Sequence, residues 1–138
     1  MIAHASALIA ASAGIALTMG TLHLVFTFHG RRFHPREPGV KEQLERSTMF
    51  MTRDTSFWNV WIGFNASHSL GVMLFGLVYG YLALTSAEFL FQSRFLLALG
   101  FCFLASFLVL AKRYWFSVPF RGLMLSSTCY ALGLFMAG

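Results

Sequence analysis

Four apolar runs dominate the chain, and their length is what most constrains the fold. They cover about residues 5–28, 57–84, 89–111 and 118–137, with the third starting at Phe89 or Phe95. Each is near the ~20 residues that carry a helix across a bilayer. None shows the period-two alternation of a half-buried strand. A membrane span must satisfy its own backbone hydrogen bonds, so runs of this length and texture predict helices. Composition agrees: 57% of the 138 residues are hydrophobic and only 11% are charged, against about a quarter charged in soluble domains. The expectation is a single all-α membrane domain over 1–138, a four-helix bundle whose first partner is the lipid bilayer.

The first run lacks the positive n-region of a signal peptide, since no Lys or Arg precedes Arg31, and it is long for an h-region. It is therefore read as a retained span. The net charge of +5 does not point to nucleic acid. Six of the ten basic residues share one connection with four of the five acids, leaving no basic face with interleaved aromatics. The charge reads instead as topology. Arg31, Arg32, Arg36, Lys41, Arg46 and Arg53 lie in the first connection, and Lys112 and Arg113 in the third, with Arg121 just after. The second has only Arg94, near Glu88. The positive-inside rule then places connections one and three in the cytoplasm and both termini outside, in a bacterial inner membrane or its equivalent. Trp58, Trp61, Tyr114 and Trp115 fall where an interfacial aromatic belt would lie.

The first connection (29–56) is the one sizeable polar segment. Pro35, Pro38 and Gly39 break the chain early. Val40, Leu44 and Met51 then fall near one helical face, and Lys41–Glu45 and Glu42–Arg46 are spaced as i,i+4 pairs. A short amphipathic helix on the cytoplasmic surface is expected. His29 and His34 are read as solvated or headgroup-facing, and Cys102 and Cys129 as small buried packing residues. No disulfide framework or zinc spacing is present.

Inside the spans, small residues replace the hydrophobic drive for helix association. At about 100° per residue, Ser12, Ala16, Gly20, His23 and Thr27 share one face of span one. Trp61, Asn65, His68, Val72, Phe75 and Tyr79 share one of span two, beside a GxxxG at Gly76 and Gly80. Ala98, Cys102, Ala105 and Val109 align in span three, and Gly122, Ser126, Tyr130 and Gly133 in span four.

The stretch "GFNASHSLG" at Gly63–Gly71 concentrates polarity in span two. His23 lies eight residues before Arg31, about 12 Å in, and His68 seven residues after Trp61, about 10 Å in. The two histidines are expected at similar depth on facing helices, with Asn65 close by and Tyr130 in the same half of the membrane. Intramembrane ionisable groups mark sites, yet a His beside an Asn also serves as hydrogen-bonded glue between helices. Two uses of a site stay open. One is a b-type haem between His23 and His68, since imidazole is a usual axial ligand. The other is a mostly apolar pocket for a quinone, sterol or other isoprenoid, with His23, Asn65, His68, Tyr130 and Trp61 converging on it.

Catalysis has little to work with. No Asp or Glu lies inside a span, and no nucleophile triad, phosphate loop or H-E-x-x-H is present. Four spans without internal repeats make a poor carrier. The expectation is a non-enzymatic subunit that packs with itself, as a homo-oligomer, or with other membrane subunits; the rival is the hydrophobic-ligand or cofactor site.

Three motifs, "GTLH" at Gly20–His23, "STMF" at Ser47–Phe50 and "WNVWIGFNASHSLG" at Trp58–Gly71, give the first half of the chain a resemblance to small bacterial four-span membrane proteins of no assigned activity. The resemblance implies the four-helix membrane fold and carries over no catalytic residue. A likeness to sterol isomerases or DoxX-like proteins lacks the intramembrane acids expected of the isomerases.

Overall fold

The computed structural model describes residues 2–138. The apolar runs form four long helices: α1 (Ile2–Phe28), α3 (Phe57–Thr85), α5 (Arg94–Tyr114) and α6 (Ser117–Ala137). At 1.5 Å per residue the shortest two, of 21 residues, reach about 32 Å, enough for a bilayer core of about 30 Å. Two short helices, α2 (Val40–Arg46) and α4 (Ala87–Gln92), and a two-stranded hairpin, β1 (Thr48–Met49) and β2 (Thr52–Ser56), complete the elements.

The third apolar run is broken. Ser93 ends α4 and starts α5, its Oγ accepting from Leu96 N at 3.3 Å, so the long helix begins at Arg94. Pro119 occupies the third position of α6, where a missing N–H leaves no intrahelical bond unmade.

The chain divides into two compact units, residues 2–19 with 72–138, and residues 20–71. In the first, parts of all four long helices pack together. Gly76 on α3 meets α1 so closely that an added Cβ would lie 2.7 Å from Leu17 Cβ and 2.8 Å from the Ala13 carbonyl. Gly133 on α6 sits similarly against Ile9 and the Ala5 carbonyl. Ser12 Oγ and Ser126 Oγ lie 2.9 Å apart, and Ser126 Oγ donates to the Ser12 carbonyl at 3.0 Å. Ser126 spends its one proton on that carbonyl, so Ser12 is the donor between the hydroxyls. Ser6 Oγ donates to the Ala83 carbonyl.

The inward face of α5 differs from the expected one. Ala98, Cys102 and Val109 point outward, and Gly100, Leu104 and Ala111 are buried. Aromatic rings decide this rather than small residues. Phe75, Phe103 and Phe107 stack in series at 4.7 and 4.5 Å. Tyr79 and Tyr130 donate to the Leu96 and Leu97 carbonyls at 2.6 and 3.1 Å. Gly100 makes room for both rings: an added Cβ would lie 2.7 Å from Tyr79 Cε1. Cys102 is exposed, not a buried packing residue as expected.

The second unit contains the end of α1, the connection and the start of α3. Gly30 and Gly39 adopt φ of +86° and +83°, a left-handed backbone that costs other residues a Cβ clash; they follow α1 and precede α2. The connection folds differently from the expectation. Helix α2 is only seven residues long and ends at Arg46, and Met51 lies beyond it in the turn of the hairpin. Lys41–Glu45 forms, at 2.5 Å, while Glu42–Arg46 does not. The hairpin closes on α3, with Phe57 N donating to the Ser47 carbonyl at 2.8 Å.

Candidate functional site

The polar residues of "GFNASHSLG" lie within the second unit, on the first turns of α3. Helical periodicity puts Trp61, Asn65 and His68 on one side, and the end of α1 brings His23 to it. Asn65 Nδ2 donates to the Trp61 carbonyl at 2.8 Å, one turn back. A carbonyl only accepts, so this bond orients the amide and leaves Oδ1 facing His23 Nε2 at 3.0 Å. His23 therefore carries its proton on Nε2 and donates it to Asn65.

The His68 ring lies 5.3 Å from that of His23, tilted 59°, and Phe64 stacks beyond it at 6.2 Å. Asn65 is buried, at 7% exposure, and both histidines are partly covered. Two hydroxyls satisfy backbone beside the cluster: Thr27 donates to the His23 carbonyl and Ser69 to the Asn65 carbonyl, each at 2.8 Å.

Sequence reasoning missed Phe33. Its ring lies 4.6 Å from His23, and its carbonyl accepts from Trp61 Nε1 at 3.3 Å. One loop residue thus touches both helices. Nothing periodic marks it, because it lies between the end of α1 and the prolines. Trp61 itself is 40% exposed and meets the loop through its indole N–H. His34, expected in solvent or headgroups, instead packs edge-on against Trp58 at 5.0 Å, with Lys41 Nζ 5.4 Å from the same ring. His29 is exposed.

Tyr130 belongs to the first unit, buried between Tyr79 and Phe75 with its hydroxyl on Leu97. Ser12, Ala16 and Gly76 are buried in that unit, and Gly80 lies 3.6 Å, measured from an added Cβ, from Ala13. Gly20 is buried in the second.

A haem does not fit between His23 and His68 in this arrangement. Iron bonded to two imidazole nitrogens at about 2 Å each holds the ring centroids roughly 6 Å apart, with a flat macrocycle filling the gap. Here the centroids are closer, at 5.3 Å, and His23 Nε2 is committed to Asn65. Among the described residues no three of His, Cys, Asp and Glu converge to hold a metal ion.

Outside this cluster, an open groove runs along the first unit, lined by Ala11, Gly14, Ile15, Thr18 and Met19 of α1 and by Gly122 of α6. Gly14 has nothing within 4 Å of an added Cβ. The fold and these sites define an all-helical chain with four helices long and apolar enough to cross a membrane. No family model matches the sequence, and neither a curated protein nor a solved structure is similar to it.

Proposed function

We propose that this chain is a small integral membrane protein that works by helix association, as a non-enzymatic subunit packing with its own copies or with a larger membrane complex. The outer surface supports insertion. Leu74, Leu77, Tyr81 and Leu84 on α3, Phe95 and Val109 on α5, and Phe135 on α6 are each more than half exposed; water would disfavour such a surface and lipid does not.

The observation that carries the association reading is the groove at Gly14. The Gly76 and Gly133 contacts are consumed inside the first unit, so they offer nothing to a partner. Gly14 and Thr18, one turn apart beside Gly122, leave a strip of small residues open on the outside. In a bilayer such a strip is where another helix approaches closely. The hairpin connection and the basic residues around it go with a cytoplasmic first connection, both termini outside and an inner-membrane location.

The test is a substitution that spares the monomer. Gly14→Leu fills open space, so the isolated fold should tolerate it. Native nanodiscs extracted directly from membranes should carry the wild-type protein in an assembly larger than one chain, and Gly14→Leu as a single chain. Equal masses for the two would refute the groove as the association surface.

The juxtaposition of His23, Asn65 and His68 favours a second reading, a polar anchor for a hydrophobic small molecule such as a quinone or isoprenoid. Its test is mass spectrometry of an organic extract of the purified protein. A ligand present in wild type and lost in His68→Leu supports it, and a ligand-free extract refutes it.

A further inference from the structure

The hairpin tip is the feature that the helix-association reading does not use. Phe50 is fully exposed and Met51 is 88% exposed, and together they form the two-residue turn between β1 and β2. Turns of this length favour Asn and Gly, which reach positive φ. Here the chain places two large apolar side chains, and no non-glycine residue has positive φ. The turn gains nothing from Phe50 and Met51, and neither packs against the protein.

Charge surrounds them on one pattern. Arg46 ends α2, four residues before Phe50, and Arg53 lies two residues after Met51. Both are exposed, and among the described residues the one ion pair is Lys41–Glu45. The nearest acid, Asp54, is held by the Thr52 hydroxyl at 3.0 Å. An apolar tip between two cations is the chemistry of an interfacial anchor on anionic lipid. A lipid surface is also the partner within reach. Strand β2 runs into α3 with no spacer, so five residues at 3.3 Å, about 17 Å, separate the tip from the start of a membrane-length helix.

We infer that Phe50 and Met51 insert into the interfacial layer of the bilayer that holds α3, with Arg46 and Arg53 on anionic headgroups. This rests on the membrane insertion proposed above. The hairpin would then tie the first connection to the membrane surface, the role that sequence alone suggested for an amphipathic helix.

Spin labels at Phe50→Cys, Met51→Cys, Glu42→Cys and Leu74→Cys test it, each in a Cys102→Ser, Cys129→Ser background. The protein is reconstituted in vesicles of phosphatidylcholine with phosphatidylglycerol. Labels at 50 and 51 should collide more with oxygen than with a water-soluble nickel chelate, and the label at 42 the reverse. Replacing Arg46 and Arg53 by Gln, or omitting phosphatidylglycerol, should shrink the contrast at 50 and 51. If 50 and 51 are as nickel-accessible as 42 while 74 remains in lipid, the anchor is refuted and membrane insertion stands. If 74 is also water-exposed, insertion fails and the anchor with it. Phe50→Trp provides a cysteine-independent check: brominated lipid should quench its added fluorescence relative to wild type, and a lack of added quenching overturns the inference.

Discussion

Replacing Gly76 by alanine should weaken the α1–α3 contact far more than the same change at Gly14. At Gly76 the new methyl would lie 2.7 Å from Leu17 Cβ and 2.8 Å from both the Ala13 carbonyl oxygen and Leu17 N. Ordinary contact begins near 3.4 Å, so the two helices must separate by about 0.6–0.7 Å. The obstacles are backbone atoms and a Cβ, which no rotamer change can move. Overpacking of this kind costs about 1–3 kcal/mol. At Gly14 nothing lies within 4 Å of the added methyl, and alanine should gain about 0.5–1 kcal/mol of helix propensity in an exposed position. The propensity gain is common to both Gly→Ala changes, so the two variants should differ by the overpacking cost alone, roughly 1–3 kcal/mol. Unfolding in mixed micelles by increasing sodium dodecyl sulfate, followed by circular dichroism, reads the difference directly. Gly76→Ala with stability equal to that of Gly14→Ala would refute the close approach of α1 and α3.

Three further outcomes are expected in the same assay. Gly100→Ala drives a methyl into the Tyr79 and Tyr130 rings, to 2.7 and 2.8 Å, and should cost about 1–3 kcal/mol; a neutral result would contradict the aromatic face of α5. Asn65→Leu leaves the His23 Nε2–H without its acceptor and should cost about 1 kcal/mol, with His23→Leu adding little to it in the double variant. Ser12→Ala and Ser126→Ala should be coupled by about 0.6 kcal/mol in a double-mutant cycle, and independent effects would show that the two hydroxyls do not bond.

The four long helices were legible because each apolar run is both long and nearly free of charge, a combination that few elements other than a membrane-length helix satisfy. Helix faces were legible where small and polar residues coincide, as on α1, where Ser12, Ala16 and Thr27 are buried. On α5 the same reasoning chose the outward side. There the buried face is set by ring stacking through Phe103 and Phe107, and periodicity treats an inward Phe like a lipid-facing one. The His23–Asn65 neighbourhood followed from helical spacing and depth. Phe33 did not, because a loop residue's position depends on the left-handed turn at Gly30 and on the chain path, which carry no repeating signal. The hairpin was equally hidden: Met51 shares a helical face with Val40 and Leu44 only if the helix continues, and it stops at Arg46.

The reading of this chain as an associating membrane subunit is tested most directly by cross-linking in native membranes. Thr18→Cys lines the open groove, and Val109→Cys lies exposed on α5; each is placed in a Cys102→Ser, Cys129→Ser background. Oxidation or a short bismaleimide should trap a product larger than one chain from Thr18→Cys and not from Val109→Cys. Its mass tells a second copy from a different subunit, and Gly14→Leu should abolish it. A Thr18→Cys protein that stays a single chain in the membranes where it is made would contradict the account.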